Sequence, residues 1–213
     1  MLIISLEGNI GAGKSTLFNQ LKAAHPEWIF VDEPVDEWMR LDSDGKSLLE
    51  NFYEDRKRWA YTFQITALLS RSKALSAACA SNPDAIIVTE RSLGADKNVF
   101  AKMLRADGDI GALEWTLYNK WFDQISKTVP PISAFVHLDT PVTICDERIA
   151  LRAREGESAP VDYLDRLDSY HFAWLLDYNM KTPVLRYDNY SLKDQSSLKD
   201  VEEFVERLAA AQN

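Results

Sequence analysis

The chain is poor in cysteine: its 213 residues include only Cys79 and Cys145, far apart and in no Cys-x-x-Cys or zinc-ligand spacing. That excludes a disulfide scaffold and a zinc module, and it reads as two buried or incidental thiols in a reducing compartment. Long apolar runs are missing too. None approaches the ~20 residues a helix needs to cross a bilayer, so no membrane association is expected. Basic residues are in deficit, 24 against 33 acidic, for a net charge of −9. A basic surface for nucleic acid or anionic lipid is therefore not expected, although a local basic pocket for a small anion is compatible with this balance. Glycine and proline number 8 each, and no repeat, linker or low-complexity stretch stands out. The length suits one α/β core, and one domain over 1–213 is expected. The first strand-like run starts at Leu2, so no signal or transit segment is expected in this chain. The expected location is cytoplasmic.

What is present is alternation. Short apolar runs rich in Ile and Val, at 2–6, 28–32, 85–89, 133–138 and 184–187, read as buried parallel strands. Between them lie helix-period stretches at about 15–25, 47–80, 96–106, 110–128, 141–154, 161–180 and 195–211. The last sets Leu198, Val201, Phe204, Val205 and Leu208 on one face. The pattern predicts an α/β fold with about five parallel strands and helices on both faces. Polar stretches at 42–45, 154–160 and 188–191 read as loops. In such folds ligands bind beyond the carboxyl ends of the strands, so those ends carry the candidate residues.

The first strand runs into Gly8-Asn9-Ile10-Gly11-Ala12-Gly13-Lys14-Ser15-Thr16 and then a helix. Gly-x4-Gly-Lys-Ser between a strand and a helix is the spacing of a phosphate-binding loop. Its glycines let successive N–H groups curl toward phosphate oxygens, and the helix adds its positive end. Lys14 supplies a point charge for the β/γ-phosphates, and the hydroxyl of Ser15 or Thr16 suits Mg²⁺. The loop implies a nucleoside triphosphate without saying what it is used for.

The second strand ends in Asp32-Glu33, with Trp38 beyond. Neighbours in extended chain face opposite ways, so one of the two acids faces a site, where it could orient an attacking hydroxyl; a surface acidic loop is the plainer alternative. The third ends in Glu90-Arg91-Ser92. Glu90 stands where a metal-side acid belongs and Arg91 could neutralise a transferring phosphoryl group, unless the two serve only a salt bridge. On the 47–80 segment, Tyr53, Ala60, Gln64, Ala67 and Arg71 fall on one helical face. Gln64 offers an amide fork suited to a nucleobase edge, with the small alanines leaving room for a flat ring. Arg148, Arg152 and Arg154, beside a glycine-containing break, suggest a phosphate-closing lid over about 148–160, or charge complementing a helix end.

Taken together these residues resemble the deoxynucleoside kinase family. The resemblance rests on Gly8 to Thr16, Glu33-Pro34-Val35 with Trp38, Tyr53-Glu54 leading to Arg58-Trp59, Thr62-Phe63-Gln64, Leu69-Ser70-Arg71 and Glu90-Arg91-Ser92. Arg148, Arg152-Ala153-Arg154, Pro160 and Tyr163-Leu164 complete it, in order, over roughly 2–180. It implies a P-loop kinase fold with a short arginine-bearing lid, ATP as phosphate donor with Mg²⁺ held by Ser15 and Glu90, and a deoxynucleoside as acceptor. Glu33 would be the general base on the 5′-hydroxyl, and Arg91 would hold the 5′-oxygen and the transferred phosphoryl. Tyr53 and Glu157 would bind the sugar 3′-hydroxyl, and Gln64 would read the base between Trp38, Phe63 and Phe100. The family is typically dimeric, so a homodimer is implied.

Arg71 and Asp96 match the pair found in the deoxycytidine, deoxyguanosine and deoxyadenosine branches. Asp96 could accept from an exocyclic amine or hold Arg71 toward the base, whereas the thymine O4 acceptor and methyl suit that corner poorly. Thymidine is therefore expected to be disfavoured. Two departures stand out. Gly94 replaces a usual aromatic residue and would enlarge the base pocket, and a lid shorter by one residue leaves Glu155 competing with Glu157. A nucleoside monophosphate kinase such as a thymidylate kinase, or a broad-specificity enzyme that includes thymidine, is the alternative. The first would need basic residues for the acceptor's own phosphate, and the second strand ends in acids.

Overall fold

A computed structural model describes residues 1–154, 157–177, 180–187 and 196–211. The apolar runs become β1 (Leu2–Gly8), β2 (Ile29–Val31) and, after the helices that follow, the later strands of one parallel sheet. The first loop opens α1 (Lys14–Ala24), and beyond β2 comes α2 (Val35–Arg40), a six-residue helix the periodicity does not reveal. The expected loop at 42–45 is a tight hairpin, β3 (Asp42–Ser43) with β4 (Lys46–Ser47). Asp44 and Gly45 both take positive φ there, 58° and 80°, as a primed turn requires.

The 47–80 stretch is not one helix. It divides into α3 (Leu48–Glu54) and α4 (Arg56–Ser81), because Asp55 leaves the helical region and caps the second, its carboxylate accepting from the Arg58 N–H. Ser47 and Glu50 form a capping box at the head of α3. After β5 (Ile86–Glu90), α5 (Leu93–Ala95) passes into a π-helical turn, Asp96–Ala101, and then α6 (Lys102–Asp107). Next come α7 (Ala112–Ile125), β6 (Ala134–Leu138), α8 (Val142–Arg152), α9 (Val161–Leu175), β7 (Val184–Tyr187) and α10 (Ser196–Ala210). The expected loop at 188–191 lies outside the described residues.

The strand order is β2-β5-β1-β6-β7, all parallel. Successive β1 residues alternate between layers: Ile4 joins Leu17, Leu21 and Val88 in one cluster, while Ile3 joins Leu75, Cys79 and Ile87 in another. A third cluster lies away from the sheet, where Phe52, Phe63, Leu68, Leu104 and Tyr118 pack α3, α4, α6 and α7 together. The order reverses at β1, so the crevice beyond the ends of β1 and β5 receives the phosphate loop, Glu90 and Arg91.

Candidate active site

The loop after β1 curls tightly against α8 and β6. A Cβ on Gly11, at φ 78°, would lie 2.4 Å from the Cys145 carbonyl oxygen, and one on Gly8 would lie 2.6 Å from that of Leu138. Only glycine fits either place. Lys14 Nζ donates to the carbonyls of Asn9 at 2.8 Å and Gly8 at 3.3 Å. Burial lowers its pKa to about 8, with Arg91 nearby adding to the effect. Arg148 Nη1 donates to the Ala12 carbonyl at 3.0 Å and braces the loop from α8. Ser15 Oγ donates to Glu90 Oε1 at 3.0 Å.

Glu33 stands at the centre. Its Oε1 accepts from Arg71 Nη2 at 3.1 Å and lies 3.3 Å from Arg91 Nε. Burial opposes its charge, but Arg91, Arg71 and Lys14 outweigh that and bring its pKa down to about 2. Asp32 lies at the exposed rim of the same cavity, 3.9 Å from Lys22, so Glu33 is the buried acid of the pair. Arg71 spends three N–H groups on fixed acceptors: Nε on Asp96 at 3.0 Å, Nη1 on the Glu90 carbonyl at 2.9 Å and Nη2 on Glu33. Burial raises the Asp96 pKa despite Arg71 beside it. Arg91 sits at φ 65°, uncommon for a side-chain-bearing residue. Its N–H bonds the Leu6 carbonyl at 3.0 Å, its Nη1 the Gly8 carbonyl at 2.9 Å, and the Phe100 ring covers its guanidinium at 4.8 Å. Behind it Glu7, fully buried in β1, accepts from Ser92 Oγ at 2.6 Å and Ser5 Oγ at 2.8 Å, tying β1 to the turn that carries Arg91.

These groups line a cavity of about 820 Å³ together with an aromatic wall. Trp38 meets Phe63 edge-on at 5.2 Å, Phe52 stacks on Phe63 at 4.6 Å, and Trp38 Nε1 donates to Ser70 Oγ. Gln64 reaches this wall from α4, and its buried Oε1 has no partner among the described residues. Burial, reinforced by Tyr163 and Glu157, pushes the Tyr53 hydroxyl pKa well up. Across the mouth, Arg152 and Arg154 both pair with Glu157, which lines the cavity; Glu155 lies outside the described residues.

Most residues expected at the site therefore share one cavity, with several corrections. Gly8, Asn9 and Ala12 lie behind its wall: Asn9 is buried, its Nδ2 donating to the Leu164 carbonyl, and Ala12 is packed in the core. Ala60, one turn before Gln64 on α4, is sealed in the third cluster, leaving Ala67 as the small wall residue. Gly94 does not enlarge the base pocket. Its missing side chain is replaced by Trp174, whose Cζ2 would lie 2.6 Å from a Cβ there. Phe100 covers Arg91 as well as lining the cavity. Sequence reasoning missed Glu7, Phe52 and His171. An acid at the end of an apolar strand signalled the first, and a lone histidine among Leu164, Leu167 and Leu175 the last.

A doubly wound parallel sheet, a phosphate-cradling loop at its switch point and, beyond a neighbouring strand end, a carboxylate gripped by two arginines define a phosphate-loop phosphotransferase. More narrowly, the chain belongs to the deoxynucleoside kinase family, whose model, described as "Deoxynucleoside kinase", matches residues 4–210. It is 35% identical to deoxycytidine kinase of Mus musculus over 239 aligned residues, covering 96% of this chain and 91% of the relative. Identity is 37% to a probable deoxycytidine kinase of Fowlpox virus, over 96% of this chain and 88% of the relative. To the mitochondrial deoxyguanosine kinase of Xenopus laevis it is 32%, over 98% and 84%. The protein is thus an enzyme that phosphorylates deoxynucleosides, with ATP as the donor that kinase membership implies. No helix among the described residues is long and apolar enough to cross a membrane.

Proposed function

We propose that the chain, as a single kinase domain, transfers the γ-phosphoryl of ATP to the 5′-hydroxyl of deoxyadenosine, deoxycytidine or deoxyguanosine in preference to thymidine. The observation that carries the reading is Glu33, clasped by Arg71 and Arg91 in the cavity that also holds Lys14. A carboxylate held near pKa 2 is ionised at every working pH. It orients the hydroxyl by accepting its hydrogen bond and takes the proton late, as the new O–P bond forms. Engagement of Arg91 by the transferring phosphoryl withdraws one cation from Glu33 and raises its proton affinity at that moment. Lys14, Arg91 and the lid arginines Arg148, Arg152 and Arg154 stabilise charge on the phosphates.

Among the described residues no three His, Cys, Asp or Glu side chains converge as a metal cage. Ser15 Oγ and Glu90 Oε1, 3.0 Å apart at the loop, fit the two-oxygen half-set that Mg²⁺ takes when phosphates and water complete it. Mg²⁺ there would neutralise phosphate charge. For the acceptor, Tyr53 and Glu157 suit the sugar 3′-hydroxyl. Gln64, with an unpartnered Oε1, suits a base presenting an amine donor, and Arg71 and Asp96 close the same corner. The buried free thiols Cys79 and Cys145 agree with a cytoplasmic location.

The test is ATP-dependent phosphorylation of the four deoxynucleosides side by side, with dTMP as control acceptor. At least one of the three favoured nucleosides should exceed thymidine in kcat/KM, and Glu33→Gln should lower turnover by roughly 100-fold or more. Thymidine turned over as efficiently as all three would refute the base assignment, and turnover of dTMP alone would make the enzyme a nucleotide kinase.

A further inference from the structure

Arg91 has a neighbour on its far side that the proposed reaction does not use. His171 of α9 is fully buried, and its Nε2 lies 3.4 Å from Arg91 Nη1. Its other nitrogen, Nδ1, lies 2.8 Å from the Leu167 carbonyl oxygen. A carbonyl only accepts, so Nδ1 carries the hydrogen; in a neutral imidazole that leaves the lone pair on Nε2. A guanidinium only donates, so the two facing groups match in one tautomer alone.

We propose that His171 is a positioning residue for Arg91: its unprotonated Nε2 accepts from the guanidinium and sets the angle at which Arg91 faces the acceptor hydroxyl. The inference rests on the role assigned to Arg91 above. The guanidinium is then held at Nε by Glu33, at Nη1 by the Gly8 carbonyl and His171, and over its face by Phe100. His171 is itself fixed. The His137 ring lies nearly parallel to it at 6.1 Å and 9°, and Phe100 meets it edge-on at 6.1 Å.

The surroundings of His171 weigh against a second positive charge: burial is the largest effect, and the Leu167 hydrogen bond, which favours the charged ring, does not offset it. Arg91, His137 of β6 and Lys14 of α1 are the charged or titratable groups that act on it most, and each disfavours its protonation, as does burial. β1 brings Glu7, whose Oε1 accepts from Ser5 and Ser92 and whose buried Oε2 has no partner among the described residues. Elsewhere on packed elements, Asp96 and Lys97 of the π-helical turn pair with Arg71 and Asp123, and Asp107 of α6 pairs with Arg166. On α8, Arg148 bonds the loop and Arg152 bonds Glu157.

Two substitutions separate the ring nitrogens. His171→Asn keeps a donor where Nδ1 meets Leu167 but removes the acceptor facing Arg91. His171→Gln places an amide oxygen where Nε2 stood. With the full-length enzyme, His171→Asn should lower kcat ~10- to 100-fold with both KM values within about twofold, while His171→Gln stays within about threefold of wild type. Imidazole ¹⁵N spectra at pH 7 should show a neutral Nδ1–H ring that disappears in His171→Asn. Wild-type kcat in His171→Asn, equal losses of kcat and of melting temperature in both variants, or an Nε2–H or doubly protonated ring would overturn the proposal. Full activity in Arg91→Gln would instead reject the role of Arg91. A wild type inert toward every deoxynucleoside would reject the function, and the imidazole spectrum would still decide the state of His171.

Discussion

Lys14 shows how a single charge depends on what shares its site. Its ammonium rests on the carbonyls of Asn9 and Gly8, and burial leaves its pKa at about 8. Phosphate oxygens beside it would raise that value. Below pH 8 the amine is charged whether or not phosphate is bound; above pH 8 it is neutral when alone and charged beside the phosphates. Binding of ATP should therefore take up a proton above about pH 8, with affinity falling by up to ~10-fold per pH unit. Calorimetry in two buffers of different ionisation enthalpy should give equal heats at pH 7 and unequal heats at pH 9, and equal heats at both would contradict it. Residues such as Lys14, Glu33 and Arg91 were legible in the sequence because each lies in a short motif at a strand end. Glu7 and His171 were not, since what matters about them is a contact with a turn 80 or more positions away.

At the scale of elements, Gly94 is the clearest case of a local reading overruled by tertiary packing. Alone it suggested added space; in the fold it is the hollow that seats Trp174. Gly94→Ala should destabilise the protein by about 1–3 kcal/mol while leaving the order of base preference unchanged. Urea unfolding of the variant, with a substrate panel beside it, checks both, and a changed base order would restore Gly94 to the pocket. The five strands of the sheet were readable because unbroken Ile and Val runs leave few other structures open to them. The break at Asp55 was hidden because Leu49, Phe52, Trp59 and Phe63 carry an apolar pattern straight across it, with only a capping carboxylate to mark the boundary. α2 is too short for a period to develop, and the π-helical turn changes the period for little more than one turn.

For the whole molecule, the outer faces of α4 and α7 remain to be covered. Leu113, Leu117 and Trp121 make a stripe at four-residue spacing on α7, 72%, 38% and 52% exposed, and Leu69 on α4 is 50% exposed. α7 packs directly on α4, so one face can unite these side chains. We expect a homodimer closed across it. Sedimentation should find the wild type dimeric and Trp121→Glu shifted toward monomer; a wild-type monomer at tens of micromolar would contradict it.

The separation of the apolar clusters bears on how such an enzyme can change over generations. The phosphate loop rests on the cluster around Leu17, Val136 and Leu164, whereas the aromatic wall proposed to face the acceptor rests on the one around Phe52, Leu68 and Leu104. Drift in the second foundation can reshape which nucleobase is admitted while the first keeps the donor machinery in register. A lineage built this way can explore new acceptors without first losing its ability to transfer phosphate.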